Sequence, residues 1–383
     1  MPLNSSGQLS LGGSVTGESI SLQLGLSPTA QVSLNDAAVR ALAGIPEGPI
    51  RLPIDFWGKP AGSPSTDKGL FAFGNTGAVD FPFYTQIVNQ ISNLGFFTTD
   101  QTVVAAKKAF STGLTYGGDK GIVKFGFFVI VIAGPQYRSF YTNGQCLISN
   151  TGVVATEVTG TGTVRAQPFG CSYGDGLASF IFGGVGVATY AVRNNVTTTG
   201  VVSSDTAATG TARTSGATVN FGVGQSLLAY GEYSTGGGSG RVYPLLFNTL
   251  SDTGVISSDG TAVGPTRVGS TGCSYGNGKG IIAYGVNAVT LGLMTTTNLV
   301  SDTGVIASNT DVVGTLRGQV GGCSFGGDKG MFAYGGSPTG SPGIFTVYNI
   351  SNRVSTTGVI SSDAVGIGTA RLGVAGCGYG LAP

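Results

Sequence analysis

The sequence lacks histidine altogether, and it has only one tryptophan, three methionines and 10% charged residues among its 383. The absence of histidine excludes Ser-His-Asp triads, imidazole general bases and most zinc sites. A net charge of +1 predicts no attraction of the whole chain to nucleic acid or to an anionic membrane. We therefore expect no enzyme activity and no cofactor.

Long hydrophobic runs are missing as well. The most apolar run, residues 125–134, is ten residues long, which is too short to cross a bilayer. We expect it to be a buried strand. The first twenty residues have neither the basic nor the apolar region of a secretory signal. The sequence thus predicts no membrane insertion.

Cysteine is sparse, and four of the five cysteines share one position of an internal repeat: Cys171, Cys273, Cys323 and Cys377. Leu114 and Val219 stand at that position in two other copies. Exchange with leucine and valine indicates a buried apolar position, where a free thiol behaves as a small hydrophobic group. We expect core thiols rather than disulfides or metal ligands, and folding in a reducing compartment.

Glycine is in large excess, with 68 residues, and 41% of the chain is apolar. The glycines have no three-residue period, which excludes collagen. Valine, isoleucine, threonine and aromatic residues alternate with them, and this pattern predicts short strands joined by tight turns.

From residue 67 onward a module recurs six times with fixed internal spacing. A glycine is followed thirteen residues later by a cation, eight residues further by a first aromatic residue, and nine residues further by a second aromatic residue before glycine. The glycines are Gly95, Gly152, Gly200, Gly254, Gly304 and Gly358, and the cations are Lys108, Arg165, Arg213, Arg267, Arg317 and Arg371. The first aromatics are Tyr116, Tyr173, Phe221, Tyr275, Phe325 and Tyr379, and the second are Phe73, Phe125, Phe182, Tyr230, Tyr284 and Tyr334. Only the interval from the second aromatic to the next glycine varies, from 18 to 27 residues.

A period of about 50 residues with four short strands predicts one propeller blade per repeat. In the last copy we place strand A at 318–326, strand B at 330–336, strand C at 345–351 and strand D at 358–362. The first strand B (69–74) has no strand A before it, and the last strand A (371–380) has no strand B after it. Pairing these two would close a ring, so we predict an all-β, six-bladed β-propeller over residues 67–383. An open β-solenoid is the alternative.

Residues 1–59 do not share the repeat, and residues 60–66 (PAGSPST) are composed like a linker. Within the first segment, S-L-N-D at 33–36 predicts the start of a short helix, and GPIRLPIDFW at 48–57 predicts an extended segment. We expect a small mixed N-terminal domain.

The N-terminal segment resembles a short domain found on structural proteins of tailed-bacteriophage virions, including phages that infect cyanobacteria. The matching phrases are ESISLQLG (18–25), SLNDAAVRALAG (33–44) and the closing FWGK (56–59). The Gly-Gly after strand B resembles kelch-type propellers, although the kelch tryptophan is absent and Trp57 lies outside the repeat. The resemblance implies a virion protein, assembled in the host cytoplasm, in which residues 1–59 dock to other virion proteins. It also implies a homo-oligomer, a trimer by analogy with fibres.

Few motifs suggest catalysis. The D-T-G triplets at 252–254 and 302–304 match that of aspartic proteases, but other copies have N-T-G, T-T-G or N-L-G, so we interpret the aspartate as a turn residue. The matches to G-x-G-x-x-G are expected by chance at this glycine content, and none opens a helix after a strand.

Two sets of residues are candidates for a ligand face. The six repeated cations emerge on the side of the B–C loops and could hold an acidic glycan or protein. Alternatively, each cation ties neighbouring blades together, the role that sixfold repetition favours. The variable interval is the second candidate, because loops on a rigid scaffold often carry recognition. Its tyrosine and arginine residues are of the types enriched at contact hot spots: Tyr137, Arg138, Tyr141, Tyr190, Tyr233 and Arg241.

We therefore expect a phage tail, baseplate or neck fibre protein that displays its propeller for host-surface recognition, with host polysaccharide as a candidate partner. The alternatives are a purely structural decoration or adaptor protein of the virion and, less favoured, a bacterial glycan-binding lectin.

Overall fold

Short β-strands make up nearly all the regular structure, as the alternation of glycine with β-branched and aromatic residues predicts. The structure, a computed structural model, describes residues 11, 19–24, 29, 32–34, 39, 66–77, 83–133, 136–235, 240–276, 278–287, 289–290, 292–339, 345–365 and 368–381. The chain divides into two compact units, Met1–Pro64 with Pro383 and Ser65–Ala382. In the first unit the described residues include one helical turn, α1 (Ile20–Gln23). The segment 48–57 lies outside the described residues, and so does the helix predicted to start at 33–36, apart from Ser33, Leu34 and Val39.

The second unit is a six-bladed β-propeller. In chain order its first strands are β1 (Thr66–Ala72), β2 (Ile87–Ile91), β3 (Gln101–Thr102), β4 (Thr112–Tyr116), β5 (Lys120–Lys124), β6 (Phe127–Ala133), β7 (Gln136–Tyr141), β8 (Gln145–Ile148), β9 (Phe169–Tyr173), β10 (Leu177–Ile181), β11 (Gly184–Val185), β12 (Ala188–Thr189), β13 (Val192–Val196), β14 (Thr206–Ala207), β15 (Ala217–Phe221) and β16 (Gln225–Ala229). They continue with β17 (Tyr233–Ser234), β18 (Arg241–Val242), β19 (Leu246–Leu250), β20 (Gly260–Thr261), β21 (Arg267–Val268), β22 (Thr271–Tyr275), β23 (Lys279–Ala283), β24 (Val286–Asn287), β25 (Thr296–Val300), β26 (Thr310–Asp311), β27 (Gly321–Phe325), β28 (Lys329–Ala333), β29 (Gly336–Pro338), β30 (Phe345–Val347), β31 (Ile350–Val354), β32 (Ala364–Val365) and β33 (Ala375–Leu381).

Each blade is an antiparallel sheet whose strands A to D run from the propeller axis outward. Blade 1 is β33-β1-β2-β3, blade 2 is β4-β5-β8, blade 3 is β9-β10-β13-β14, blade 4 is β15-β16-β19-β20, blade 5 is β22-β23-β25-β26, and blade 6 is β27-β28-β31-β32. In blade 2 the outermost position is held by isolated bridges from Gln145 to Val158 and from Ile148 to Val154.

The ring closes as predicted, because the last strand pairs with the first. Strand β33 is antiparallel to β1, with Cys377 opposite Leu70 and Tyr379 opposite Lys68. Six hydrophobic clusters, one at each junction between neighbouring blades, form the core. Phe71 and Ile91 of blade 1, for example, pack with Met331 of blade 6. Closure therefore buries the apolar faces of both terminal blades.

Backbone hydrogen bonds also form closed rings around the axis. At the entrance to strand A, the residue two places after each cation donates its N–H to the carbonyl of its counterpart in the preceding blade, at 2.7–3.4 Å. The six residues of this entrance ring are Phe110, Gln167, Ser215, Gly269, Gln319 and Gly373. A second ring links the glycine after each second aromatic to the carbonyl of the next blade's cation, at 2.9–3.1 Å. A third ring joins the A–B turns at 2.7–2.9 Å.

Three expectations from the sequence need correction. Strand D of blade 6 is β32 (Ala364–Val365), and residues 358–362 lie before it, where Ile360 makes only an isolated bridge to Val354. Residues 345–347 belong to a hairpin between strands B and C, and strand C of blade 6 is β31, which begins at Ile350. The apolar run at 125–134 is not a buried strand, since strand β6 stands outside the blade sheet and Ile130 is 39% exposed. These last two cases have one cause: the chain leaves strand B at the second aromatic, which has positive φ in every blade, and pairs with itself before re-entering the sheet.

Candidate functional site: a hairpin face above a buried cation ring

The six repeated cations have no exposed surface. In Arg317, Nε donates to the Tyr334 carbonyl at 2.7 Å, and the two terminal nitrogens donate to the Thr315 carbonyl at 2.9 Å and to Asn352 Oδ1 at 2.6 Å. All three acceptors belong to the blade that Arg317 enters or to the connection leading into it. Arg371 makes the equivalent three bonds, whereas Arg165 and Arg267 donate only through their terminal nitrogens to partners among the described residues. The cations are therefore not part of an exposed ligand face, and their contacts are those of the structural role.

Each cation also packs against the second aromatic of the preceding blade. The guanidinium carbon of Arg371 lies 3.9 Å from the ring centroid of Tyr334, and that of Arg317 lies 4.3 Å from the centroid of Tyr284. The same contact recurs at the other junctions, at 4.1–5.3 Å, for Lys108 on Phe73, Arg165 on Phe125, Arg213 on Phe182 and Arg267 on Tyr230. Each cation thus makes hydrogen bonds within the blade it enters and a ring contact to the preceding blade, which explains why the cation and the second aromatic recur at fixed spacing.

Carboxylates complete this arrangement in four blades. Asp363 accepts from the N–H of Thr315 at 2.9 Å and from its hydroxyl at 2.6 Å, and Asn352 Nδ2 donates to it at 2.9 Å. Partial burial opposes ionisation of Asp363, but the hydrogen bonds from Thr315 and Asn352 outweigh it and lower its pKa. Burial lowers the pKa of Arg165 and of Arg213 to about 10, so both stay charged at neutral pH.

Blade 2 departs from the frame at several neighbouring positions. Lys108 replaces arginine, Cys146 replaces the strand C asparagine, and Glu157 replaces the aspartate. Lys108 Nζ lies 3.1 Å from Glu157 Oε1. A second buried lysine, Lys124, donates to the Asn143 carbonyl at 2.8 Å. Burial, reinforced by the charges of Arg165 and Lys108, lowers the pKa of Lys124 to about 7.

On the opposite face, the repeated glycine and the first aromatic interlock between blades. Gly304 has φ +78°, and a Cβ there would lie 2.7 Å from the ring of Phe221 in the preceding blade. The same approach, at 2.6–3.0 Å, joins Gly95 to Phe325, Gly152 to Tyr379, Gly200 to Tyr116, Gly254 to Tyr173 and Gly358 to Tyr275. In the D-T-G turns Asp252 and Asp302 are exposed, while Ser251 accepts from the N–H of Val255 at 2.9 Å. The turn thus depends on the hydroxyl residue at its start and on the glycine, and the position of the aspartate holds asparagine or threonine in other blades.

The B–C segments form hairpins on the cation side of the propeller. Strands β6–β7, β11–β12, β17–β18 and β29–β30 are four of them. In blade 5, β24 pairs instead with β21 of the connection leading into that blade, and in blade 1 Asn75 bridges Tyr84. Length and composition differ from blade to blade, so this hairpin face varies above a constant frame.

The tyrosine and arginine residues predicted for the variable interval lie on these hairpins. Arg138 is exposed, with its guanidinium 5.0 Å from the ring centroid of Phe140. Tyr190 and Tyr233 are partly buried. Of Tyr137 the structure describes only the backbone, which belongs to β7.

Tyr141 joins the hairpins of blades 2 and 3, and Arg241 lies on the hairpin of blade 4. The Tyr141 hydroxyl accepts from the N–H of Gly186 at 2.9 Å. Arg241 is 47% exposed and forms an ion pair with Glu232 of its own blade. The hydrogen bond from Arg241 to Glu232 raises the arginine pKa, and the nearby phenols of Tyr243 and Tyr141 add to the shift.

Below the hairpin face, the inner strands enclose a central cavity of about 190 Å³. Gln167 and Gln319, from opposite blades, meet across its entrance, with Nε2 of Gln167 donating to Oε1 of Gln319 at 3.1 Å. The sequence analysis did not single out these two residues or Phe110. Each stands two residues after a repeated cation, and this fixed spacing could have identified them.

The five cysteines are buried free thiols, and burial raises the pKa of Cys171 and Cys377 to about 12. Among the residues that the structure describes, no three Cys, Asp or Glu side chains are grouped as metal ligands. Nor does any helix within the described ranges have the length and apolarity needed to cross a membrane.

No family model matches the chain, and none of the curated proteins matches it.

Proposed function

We propose that this chain is a non-enzymatic structural protein of a bacteriophage virion whose propeller recognises the host surface through its hairpin face. One observation supports host-surface recognition: the hairpins between strands B and C differ from blade to blade, while the frame beneath them repeats. Loops that vary on a rigid support are typical of binding surfaces. The assignment to a virion rests on the N-terminal phrases at 18–25, 33–44 and 56–59, with attachment through residues 1–59.

The composition of the hairpin face supports recognition. It gathers Phe128, Phe140, Tyr141, Tyr243 and Arg241, which belong to the side-chain types enriched at protein interfaces. The buried cations beneath them hold the blades in register, so the hairpins start from a fixed platform.

A direct experiment uses the full chain carrying a fluorescent label, cyanobacterial cells, and polysaccharide extracted from their surface. We expect saturable binding, and we expect the loss of that binding when residues 129–139 are replaced by an Asn-Gly turn, which shortens the β6–β7 hairpin. The matched control is Val255→Thr on the opposite face, which should bind normally. Binding to virion proteins alone would contradict host recognition.

A decoration or adaptor protein is the second candidate, and one observation favours it. The residue after the repeated glycine is apolar and 63–67% exposed in all six blades, as Val153, Val201, Val255, Val305, Val359 and Phe96. A sixfold apolar ring suits stacking on another assembled surface. An image of the virion would distinguish the candidates. A decoration or adaptor protein is favoured if other virion proteins cover both this apolar ring and the hairpin face.

A further inference from the structure

The entrance ring combines a constant backbone with variable side chains. All six of its residues have positive φ, yet only two are glycine, and the others are Phe110, Gln167, Ser215 and Gln319. Positive φ is unfavourable for such residues, and the glycines show that the frame itself requires no side chain there. Side chains retained at a conformational cost point to a role beyond folding.

Aromatic rings border the entrance on the side of blade 2. Phe110 stacks on Phe127, with ring centroids 5.0 Å apart and planes at 7°. Phe127 in turn contacts Tyr141, with centroids 5.3 Å apart. The three rings are each only partly buried, so they form a continuous apolar wall that solvent can reach.

The cavity inside the entrance is polar and carries no charged side chain among the residues that line it. Ser215 donates to Gln167 Oε1 at 2.9 Å, and this extends the amide pair around the ring. Ser270 also lines the cavity and is 7% exposed. Its hydroxyl finds no hydrogen-bond partner among the described residues, which leaves a buried polar group that a ligand or a water molecule would satisfy.

We propose that the entrance ring and its aromatic wall bind a neutral sugar residue of a surface polysaccharide. The C–H face of a pyranose stacks on aromatic rings, and its hydroxyls both donate and accept, as the amides of Gln167 and Gln319 do. A phosphate or carboxylate would find no cation in the cavity lining, and Arg241 above it is already paired with Glu232. This inference rests on host-surface recognition as the proposed function and assigns its ligand.

The experiment measures binding of the full chain to neutral polysaccharides (dextran, mannan and galactan) and to the acidic polysaccharides alginate and hyaluronate. Phe110→Gly and Gln319→Gly are the informative variants, because Gly373 and Gly269 already occupy the same ring position with the same positive φ. We expect a neutral polysaccharide to bind, and each variant to weaken its binding about tenfold or more while the melting temperature is kept. Val255→Thr is the matched control.

The outcomes separate the two proposals. Binding to host cells that is unchanged in Phe110→Gly and Gln319→Gly would overturn the sugar site and leave host recognition standing. Failure of the full chain to bind cells or any polysaccharide would remove both. Preference for alginate or hyaluronate would overturn the neutral ligand. A crystal soaked in the tightest-binding oligosaccharide should show a sugar hydroxyl beside Ser270, and water there with no sugar would contradict the site.

Discussion

At the scale of single residues, buried charge explains most of the repeat. Arginine is required where one side chain must reach three acceptors and stack on a ring, because its planar guanidinium offers five donors in a fixed arrangement. Blade 2 shows the other solution, in which Lys108 pairs directly with Glu157 and the asparagine is no longer needed. The substitutions in that blade are therefore coupled.

Replacing Arg317 with lysine should destabilise the propeller. The ammonium cannot reach Thr315, Tyr334 and Asn352 together, and buried acceptors are left without donors. We expect a loss of about 3 kcal/mol in the free energy of unfolding, measured by urea denaturation. Equal stability of the variant and the native chain would show that the guanidinium contacts are dispensable.

Lys124 predicts a specific pH dependence. Its pKa in the folded chain is about 7, below its ordinary value of 10.5, so between these values the unfolded state binds more protons. The contribution of Lys124 to the free energy of unfolding therefore rises with pH across that window, by no more than about 1.4 kcal/mol per pH unit, and this gain is lost as pH falls through 7.

The variant Lys124→Ala should remove this slope, because alanine stands at the same position in blades 1, 4, 5 and 6. As pH rises from 7 to 8.5, we expect the free energy of unfolding of the native chain to increase relative to that of the variant by about 1.5 kcal/mol. The five thiols are present in both chains, so their titration cancels in this comparison. Urea denaturation at several pH values measures it. A constant difference would mean that Lys124 does not titrate there.

At the scale of elements, two repeated pairs join neighbouring blades: the glycine with the first aromatic, and the cation with the second aromatic. The C–D turn of one blade receives the first aromatic of its neighbour, and the end of strand B receives the neighbour's cation. Spacing within the repeat stays constant because both contacts must be met at once, on opposite faces. The B–C hairpin takes part in neither contact, so its length is free.

Gly304→Ala tests the turn contact. A methyl group there meets Phe221 at 2.7 Å in addition to the strain of φ +78°, and we expect a loss of about 2 kcal/mol or more. Gly186→Ala is the matched control, since it has φ +60° with nothing within 4 Å of the added Cβ. Its loss should be about 1 kcal/mol, from backbone strain alone. Equal losses would remove the steric argument.

At the scale of the whole molecule, stability depends on closure. All three rings of backbone hydrogen bonds pass through blade 1, which the β1–β33 pair completes, and two of the six hydrophobic clusters contain its residues. Opening the ring at one blade would expose the apolar faces of two others.

Removing residues 371–383 should therefore abolish cooperative folding of the propeller. Blade 1 would lose its inner strand and Arg371, whose Nε donates to the Phe73 carbonyl at 2.8 Å. Thermal unfolding followed by circular dichroism and calorimetry would show a broad transition or none. A single sharp transition at the native temperature would contradict closure as the source of stability.

The sequence alone determined the number of blades, the frame and the closure, because each rests on local spacing and on strand counting. It also favoured a structural role for the cations. It misplaced strands C and D of blade 6 and the run at 125–134, because a hairpin or turn segment and a blade strand have the same alternating pattern. Only the tertiary structure decided which residues meet at the axis. Phe110, Gln167 and Gln319 belong to different blades. They come together because the closed ring of six blades brings equivalent positions within hydrogen-bond distance at the axis.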